Sequence, residues 1–279
     1  MVPDCFLIDL DGTIWLGDRL IEGADRFVEW MIASNKRFRF ITNNSSNSAS
    51  EYINKLWRLG IQCPEDAVFS STKASIRYLR DHGIDSVYPL GTPPFVKELQ
   101  SAGISVSKDA GCVLLAFDKT LTYEKADHAF QLIRSGAKFI ATHPDLLCPT
   151  ENGYSLDCGS MQAMFERASG RKATVLGKPS PEFVNLALQE LNATPVEAII
   201  VGDRIYTDMR MGIDAGIKTA LVLSGETKGT DTLPFAVDYI VRNVGHLPRA
   251  LELGISGAMD GDNREAPSLR KADTTRAAN

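Results

Sequence analysis

Two aspartates, Asp9 and Asp11, stand two residues apart behind the apolar run Cys5-Phe6-Leu7-Ile8, with Gly12-Thr13 following. Such a run reads as a buried strand, and open α/β sheets bind ligands at the carboxyl ends of their strands. Carboxylates crowded there repel each other unless something positive lies between them, and a metal ion bound with a phosphoryl group would supply it. The same residues also fit an ordinary strand-to-helix turn, since Asp-Gly pairs are common in turns. Taken alone they decide nothing.

Three further segments place polar groups just past apolar runs. Phe38-Arg39-Phe40-Ile41 leads into Thr42-Asn43-Asn44-Ser45. Val175-Leu176-Gly177-Lys178-Pro179-Ser180-Pro181 sets one lysine ahead of a helix start, and Ala198-Ile199-Ile200-Val201 runs into Gly202-Asp203-Arg204-Ile205-Tyr206-Thr207-Asp208. Each has a bland reading: Thr-Asn-Asn-Ser as a helix-capping loop, Gly-Lys-Pro as a solvated turn, Asp203 and Asp208 as a turn and a helix cap. Their joint order, Asp/Asp, Thr/Asn, Lys, Asp/Asp, resembles the four motifs of the haloacid dehalogenase (HAD) superfamily of aspartate-nucleophile phosphatases.

That resemblance covers about residues 4–255 and implies a chemistry. Asp9 is the nucleophile, forming an aspartyl-phosphate. Asp11 is general acid for the leaving alkoxide and then general base for water. It must enter the first step protonated, so it is expected where burial or neighbouring anions keep it neutral. The implied cofactor is Mg²⁺, held by the Asp9 carboxylate, the Asp11 backbone carbonyl and Asp203, with Asp208 outside them holding metal-bound water or orienting Lys178. Thr42, Asn43 and Asn44 would bind phosphate oxygens, and Lys178 would add positive charge for catalysis and binding.

The insertion after the second motif, Ala141-Thr142-His143-Pro144-Asp145, and Ser169-Gly170-Arg171 ahead of Gly177-Lys178-Pro179 resemble the NagD-like branch, which includes p-nitrophenyl phosphatases. The implied activity is hydrolysis of a small phosphate monoester: a sugar phosphate, glycerol phosphate, phosphoglycolate or nucleoside monophosphate. A phosphotransferase or phosphomutase on the same scaffold and a non-catalytic phosphometabolite sensor are the alternatives. Relatives often carry Asn where this chain has His143, a departure that bears on substrate preference. The apolar Leu146-Leu147-Cys148-Pro149 is expected to meet the leaving group. The resemblance also implies a homodimer through the cap. Asp118-Lys119-Thr120-Leu121-Thr122 mimics an ion-pump phosphorylation sequence but lacks the following Gly-Thr, and is expected to be a plain turn before a helix at Tyr123.

The elements that must position these residues alternate. Helices are expected at Ala24 to Ser34 (Phe27, Trp30 and Met31 on the apolar face) and Ser48 to Leu59 (a Ser48/Glu51 capping box, with Ile53, Leu56 and Trp57 inward). The fold class is α/β: a doubly wound, parallel-sheet, Rossmann-like core with an inserted smaller α/β cap. The expected division is core 1–83, cap 84–173, core 174–256 and a polar, disordered tail 257–279. With 44% hydrophobic and 23% charged residues the composition is that of a globular protein. A net charge of −5 offers no face for a nucleic acid polymer. No apolar stretch approaches a membrane span and no signal peptide is apparent, so the cytoplasm is the expected compartment. Five scattered cysteines and four histidines make neither a disulfide framework nor a zinc site.

Overall fold

The computed structural model describes residues 2–150 and 153–255; the expected tail at 257–279 lies outside them. The chain forms two compact units.

The first holds residues 2–41, 57–63 and 187–255. Its sheet is parallel, with strands in the order Tyr239–Val241, Lys218–Val222, Ala198–Gly202, Cys5–Asp9 and Arg37–Thr42. Every residue of Cys5–Asp9 is buried, as a central strand covered on both faces requires. Phe6 packs edge-on against Phe27 and Trp30 of helix Ala24–Ala33. The first strand is flanked by strands that follow it by different connections, so the order reverses beside it. That is where an α/β sheet opens a crevice at its carboxyl edge. The register sets Asp9 opposite Ile41, the residue before Thr42, and Ile8 opposite Val201, two residues before Asp203.

The second unit comprises Thr42–Leu56 and Pro64–Leu186. It contains the whole of the expected insertion 84–173 and extends past it at both ends. Its parallel sheet runs Thr174–Val175, Lys138–Ala141, Cys112–Leu115, Ser86–Leu90, Ser105–Val106. The period of two along the central strand sends Cys112 and Leu114 to a core with Leu79, Phe95 and Leu99, and Val113 and Leu115 to one with Ile133 and Phe165. Helices therefore cover both faces of this sheet. Buried hydroxyls stitch the 42–46 segment into the unit: Ser45 Oγ lies 3.0 Å from Thr142 Oγ1, and Thr92 Oγ1 donates to the Ser46 carbonyl.

The helix starts after Ser48 and Ser180 carry side-chain caps. Ser48 and Glu51 bond reciprocally at the start of Ala49–Arg58, and Ser180 accepts from the Glu182 amide beside Pro181. Trp57 departs from the reading: it is 38% exposed, and its indole N–H donates to the Cys63 carbonyl instead of packing inward. Leu147-Cys148-Pro149 lies in strand Leu147–Thr150, paired antiparallel with Gly153–Leu156. The pseudo-motif at Asp118 is the expected turn. Asp118 Oδ1 accepts from the amide and hydroxyl of Thr120, Oδ2 accepts from Lys125 Nζ, and Thr122 caps helix Tyr123–Arg134. No described helix is long and apolar enough to cross a membrane.

Candidate active site

Three carboxylates converge in the first unit. Asp9 ends the first strand, Asp203 follows Ala198–Gly202, and Asp208 sits in the single π-helical turn Ile205–Met209. One oxygen from each lies within 4.8 Å of the others, and all three residues are buried. Buried carboxylates so close repel strongly unless a cation offsets them. An all-oxygen donor set suits a hard divalent cation, so the residues fit a metal of the Mg²⁺ type. Asp208, expected outside the ligand set, belongs to the same cluster, and its Oδ2 also accepts from the Arg204 amide at 3.3 Å.

Glycines let the backbone close around these acids. A Cβ on Gly225 would sit 1.9 Å from Asp203 Oδ2, one on Gly12 2.4 Å from the same oxygen, and one on Gly202 2.4 Å from Asp208 Cγ. Gly12 also adopts φ +90°, a conformation costly for any side chain. The 224–227 segment completes the grip. The Glu226 amide donates to Asp203 Oδ2 at 2.5 Å, the Thr227 amide to the Asp203 carbonyl, and Ser224 Oγ to the Gly12 carbonyl. Sequence reasoning passed over this segment. The available signal was its place two residues past strand Lys218–Val222, at the same edge of the sheet.

Of the two settings expected for Asp11, burial is not the one found: its side chain is exposed. Its Oδ1 accepts a 2.7 Å hydrogen bond from the indole Nε1 of Trp15, a partner the motif reading did not include.

In the second unit the other two motifs meet. Lys178, 2% exposed, donates its amide to Asn43 Oδ1 at 2.8 Å, and Asn43 Nδ2 donates back to the Lys178 carbonyl at 3.0 Å. The same Nδ2 reaches Asp145 at 3.2 Å. Thr42 is buried, and its Oγ1 accepts from the Asn44 amide, while Asn44 Oδ1 accepts from Ser46. A Cβ on Gly177 would strike Asn43 Oδ1 at 2.6 Å, so that glycine permits the close approach. His143 is fully buried, held at Nδ1 by Thr142 Oγ1 and at Nε2 by Asp157 Oδ1, both at 2.9 Å. Burial pushes the Cys5 and Cys112 thiols up to about 11 and Cys158 to about 12, so these thiols are inert at neutral pH.

Comparison with known proteins gives the family. Residues 6–105 match the model of the haloacid dehalogenase-like hydrolases, and 175–247 a second HAD-hydrolase-like model. The chain is 32% identical over 258 residues to the sugar-phosphatase AraL of Bacillus subtilis, an alignment covering 91% of this chain and 95% of that one. It is 29% identical to the ribonucleotide monophosphatase NagD of Escherichia coli, covering 86% and 96%. A 4-nitrophenylphosphatase from Thermotoga maritima superposes with a TM-score of 0.85 at 38% identity, over 89% of this chain and 97% of that one. The chain belongs to the haloacid dehalogenase-like hydrolases. Within them it is a phosphatase of the NagD-like branch, a hydrolase of small phosphoric monoesters.

Proposed function

We propose that the protein is a Mg²⁺-dependent phosphatase acting through an aspartyl-phosphate on Asp9, with a phosphorylated sugar, glycerol, glycolate or nucleoside as substrate. The observation that carries this reading is the convergence of the Asp9, Asp203 and Asp208 carboxylates at the carboxyl edge of the sheet. Mg²⁺ would be held by Asp9, Asp203 and the Asp11 backbone carbonyl, and would supply positive charge between an anionic nucleophile and an anionic phosphoryl group. Asp9 attacks phosphorus, and Asp11 gives a proton to the departing oxygen and later takes one from water. Thr42, Asn43 and Asn44 orient phosphoryl oxygens, Lys178 balances their charge, and Asp208 holds its neighbours in place. The sugar-phosphatase and nucleotide-phosphatase names of the relatives support the substrate class. Residues 84–173 act as the cap, its Leu146-Leu147 segment meeting the leaving group and His143 tuning preference from within.

Asp9→Asn should lower p-nitrophenyl phosphate hydrolysis by at least about a thousandfold with an unchanged far-UV CD spectrum. EDTA should silence the unaltered protein and added Mg²⁺ restore it. Activity of the variant within about tenfold of the original would remove Asp9 as nucleophile, and activity indifferent to EDTA would remove the metal.

A further inference from the structure

Trp15 has no place in the motif chemistry, yet its only ring donor points at the one site carboxyl that is exposed. The indole is fully buried and opens a short antiparallel hairpin, Trp15–Leu16 with Arg19–Leu20. Its backbone is fixed at both ends: the Trp15 amide donates to the Leu10 carbonyl at 3.2 Å, and its carbonyl accepts from the Gly12 amide at 2.7 Å. Nε1 therefore stands on a locked frame, 2.7 Å from Asp11 Oδ1. We propose that Trp15 is a positioning residue for the proton transfers of Asp11, holding Oδ1 so that the proton always resides on Oδ2. This rests on the reading of Asp11 as acid and base.

The chemistry follows from what an indole can do. Indole N–H donates and never accepts, so Oδ1 accepts from it whether Asp11 is neutral or ionised. The transferable proton is thereby confined to Oδ2, and a side chain that solvent would otherwise leave mobile keeps one orientation. In the first step an Asp9 oxygen bonds to phosphorus, the ester P–O bond breaks with its electron pair on the leaving oxygen, and the Oδ2 proton passes to that oxygen. In the second, water bonds to phosphorus, the P–O bond to Asp9 breaks and restores its carboxylate, and the water proton passes to Asp11 Oδ2. Alcohol and inorganic phosphate are the products, with Asp11 protonated again. The indole bond stays in place throughout.

A misplaced acid harms poor leaving groups most, because a well-stabilised phenolate departs without help. The test compares p-nitrophenyl phosphate with phenyl phosphate, reading phenol release in the first turnover with enzyme in excess. Trp15→Phe should raise the ratio of the two rates by about tenfold or more, and Asp11→Asn should raise it similarly. If Trp15→Phe does not fold, 3-benzothienylalanine placed at this position keeps the shape, lacks the N–H and should raise the ratio in the same way. With three tryptophans in the chain, Asp11→Ala should displace one indole ¹⁵N–¹H resonance, the one that Trp15→Phe deletes. A raised ratio for Asp11→Asn with none for the Trp15 replacements overturns the proposal, as does equal loss on both substrates or an unmoved indole resonance. An unchanged ratio for Asp11→Asn itself sinks the acid reading beneath it.

Discussion

Asp203 is gripped by backbone that only glycine leaves room for, and this sets what a single methyl group would do. At Gly225 an added Cβ would meet Asp203 Oδ2, Cγ and Cβ, all within 2.7 Å, so either the carboxylate or the 224–227 segment must shift. Gly225→Ala should cost about 1–3 kcal/mol of stability and, on the proposed metal reading, raise the Mg²⁺ concentration needed for half activity. Thermal unfolding and a Mg²⁺ titration check both; an unchanged Tm with an unchanged Mg²⁺ requirement would show that the segment yields freely. At this scale the motif residues were legible only through their joint order and its resemblance to a known family, since each alone had a bland reading. Trp15, Gly225 and the Asn43 clasp on Lys178 were not, since each acts through a neighbour that only folding supplies.

Helix Cys158–Ser169 begins at Asp157, whose Oδ1 accepts both the Cys158 amide at 2.6 Å and His143 Nε2 at 2.9 Å. One oxygen thus starts a helix and satisfies a buried imidazole. Asp157→Ala should lose about 1 kcal/mol for the cap and about 1–3 kcal/mol for the buried nitrogen left without an acceptor. Asp157→Asn retains an oxygen and should recover more than half of that loss. Urea midpoints measure both, and equal midpoints for the two variants would refute the shared-oxygen account. Elements with a clear period or cap were readable: the Ser48/Glu51 box, the Ser180-Pro181 start, the strand at Ala198. The hairpin at Trp15–Leu20 and the strand pair Leu147–Thr150 with Gly153–Leu156 escaped, because two- to four-residue strands carry too short a pattern to separate from loop.

For the whole molecule, the buried thiols give a pH dependence with a definite sign. Cys5 and Cys112 are raised from 9.0 to about 11 and Cys158 to about 12, all chiefly by burial. Above pH 9 the unfolded chain releases these protons while the folded chain keeps them, so their stabilisation is full below pH 9 and is lost as pH climbs through about 11 to 12. Tm should fall from pH 9 to 11, and replacing Cys158 by Ala should flatten that slope; a slope indifferent to the replacement would assign the fall to other groups. The sequence by itself determined the α/β class and the order of the four motifs, because burial period and functional-group identity are local properties of a chain, and the resemblance of that order to a known family implied the type of chemistry. The tertiary structure decided that Asp208 joins Asp9 and Asp203, that Asn43 binds Lys178, and that Trp15 holds Asp11. Those pairings depend on strand order, register and close backbone approach, which come into being only when distant segments pack.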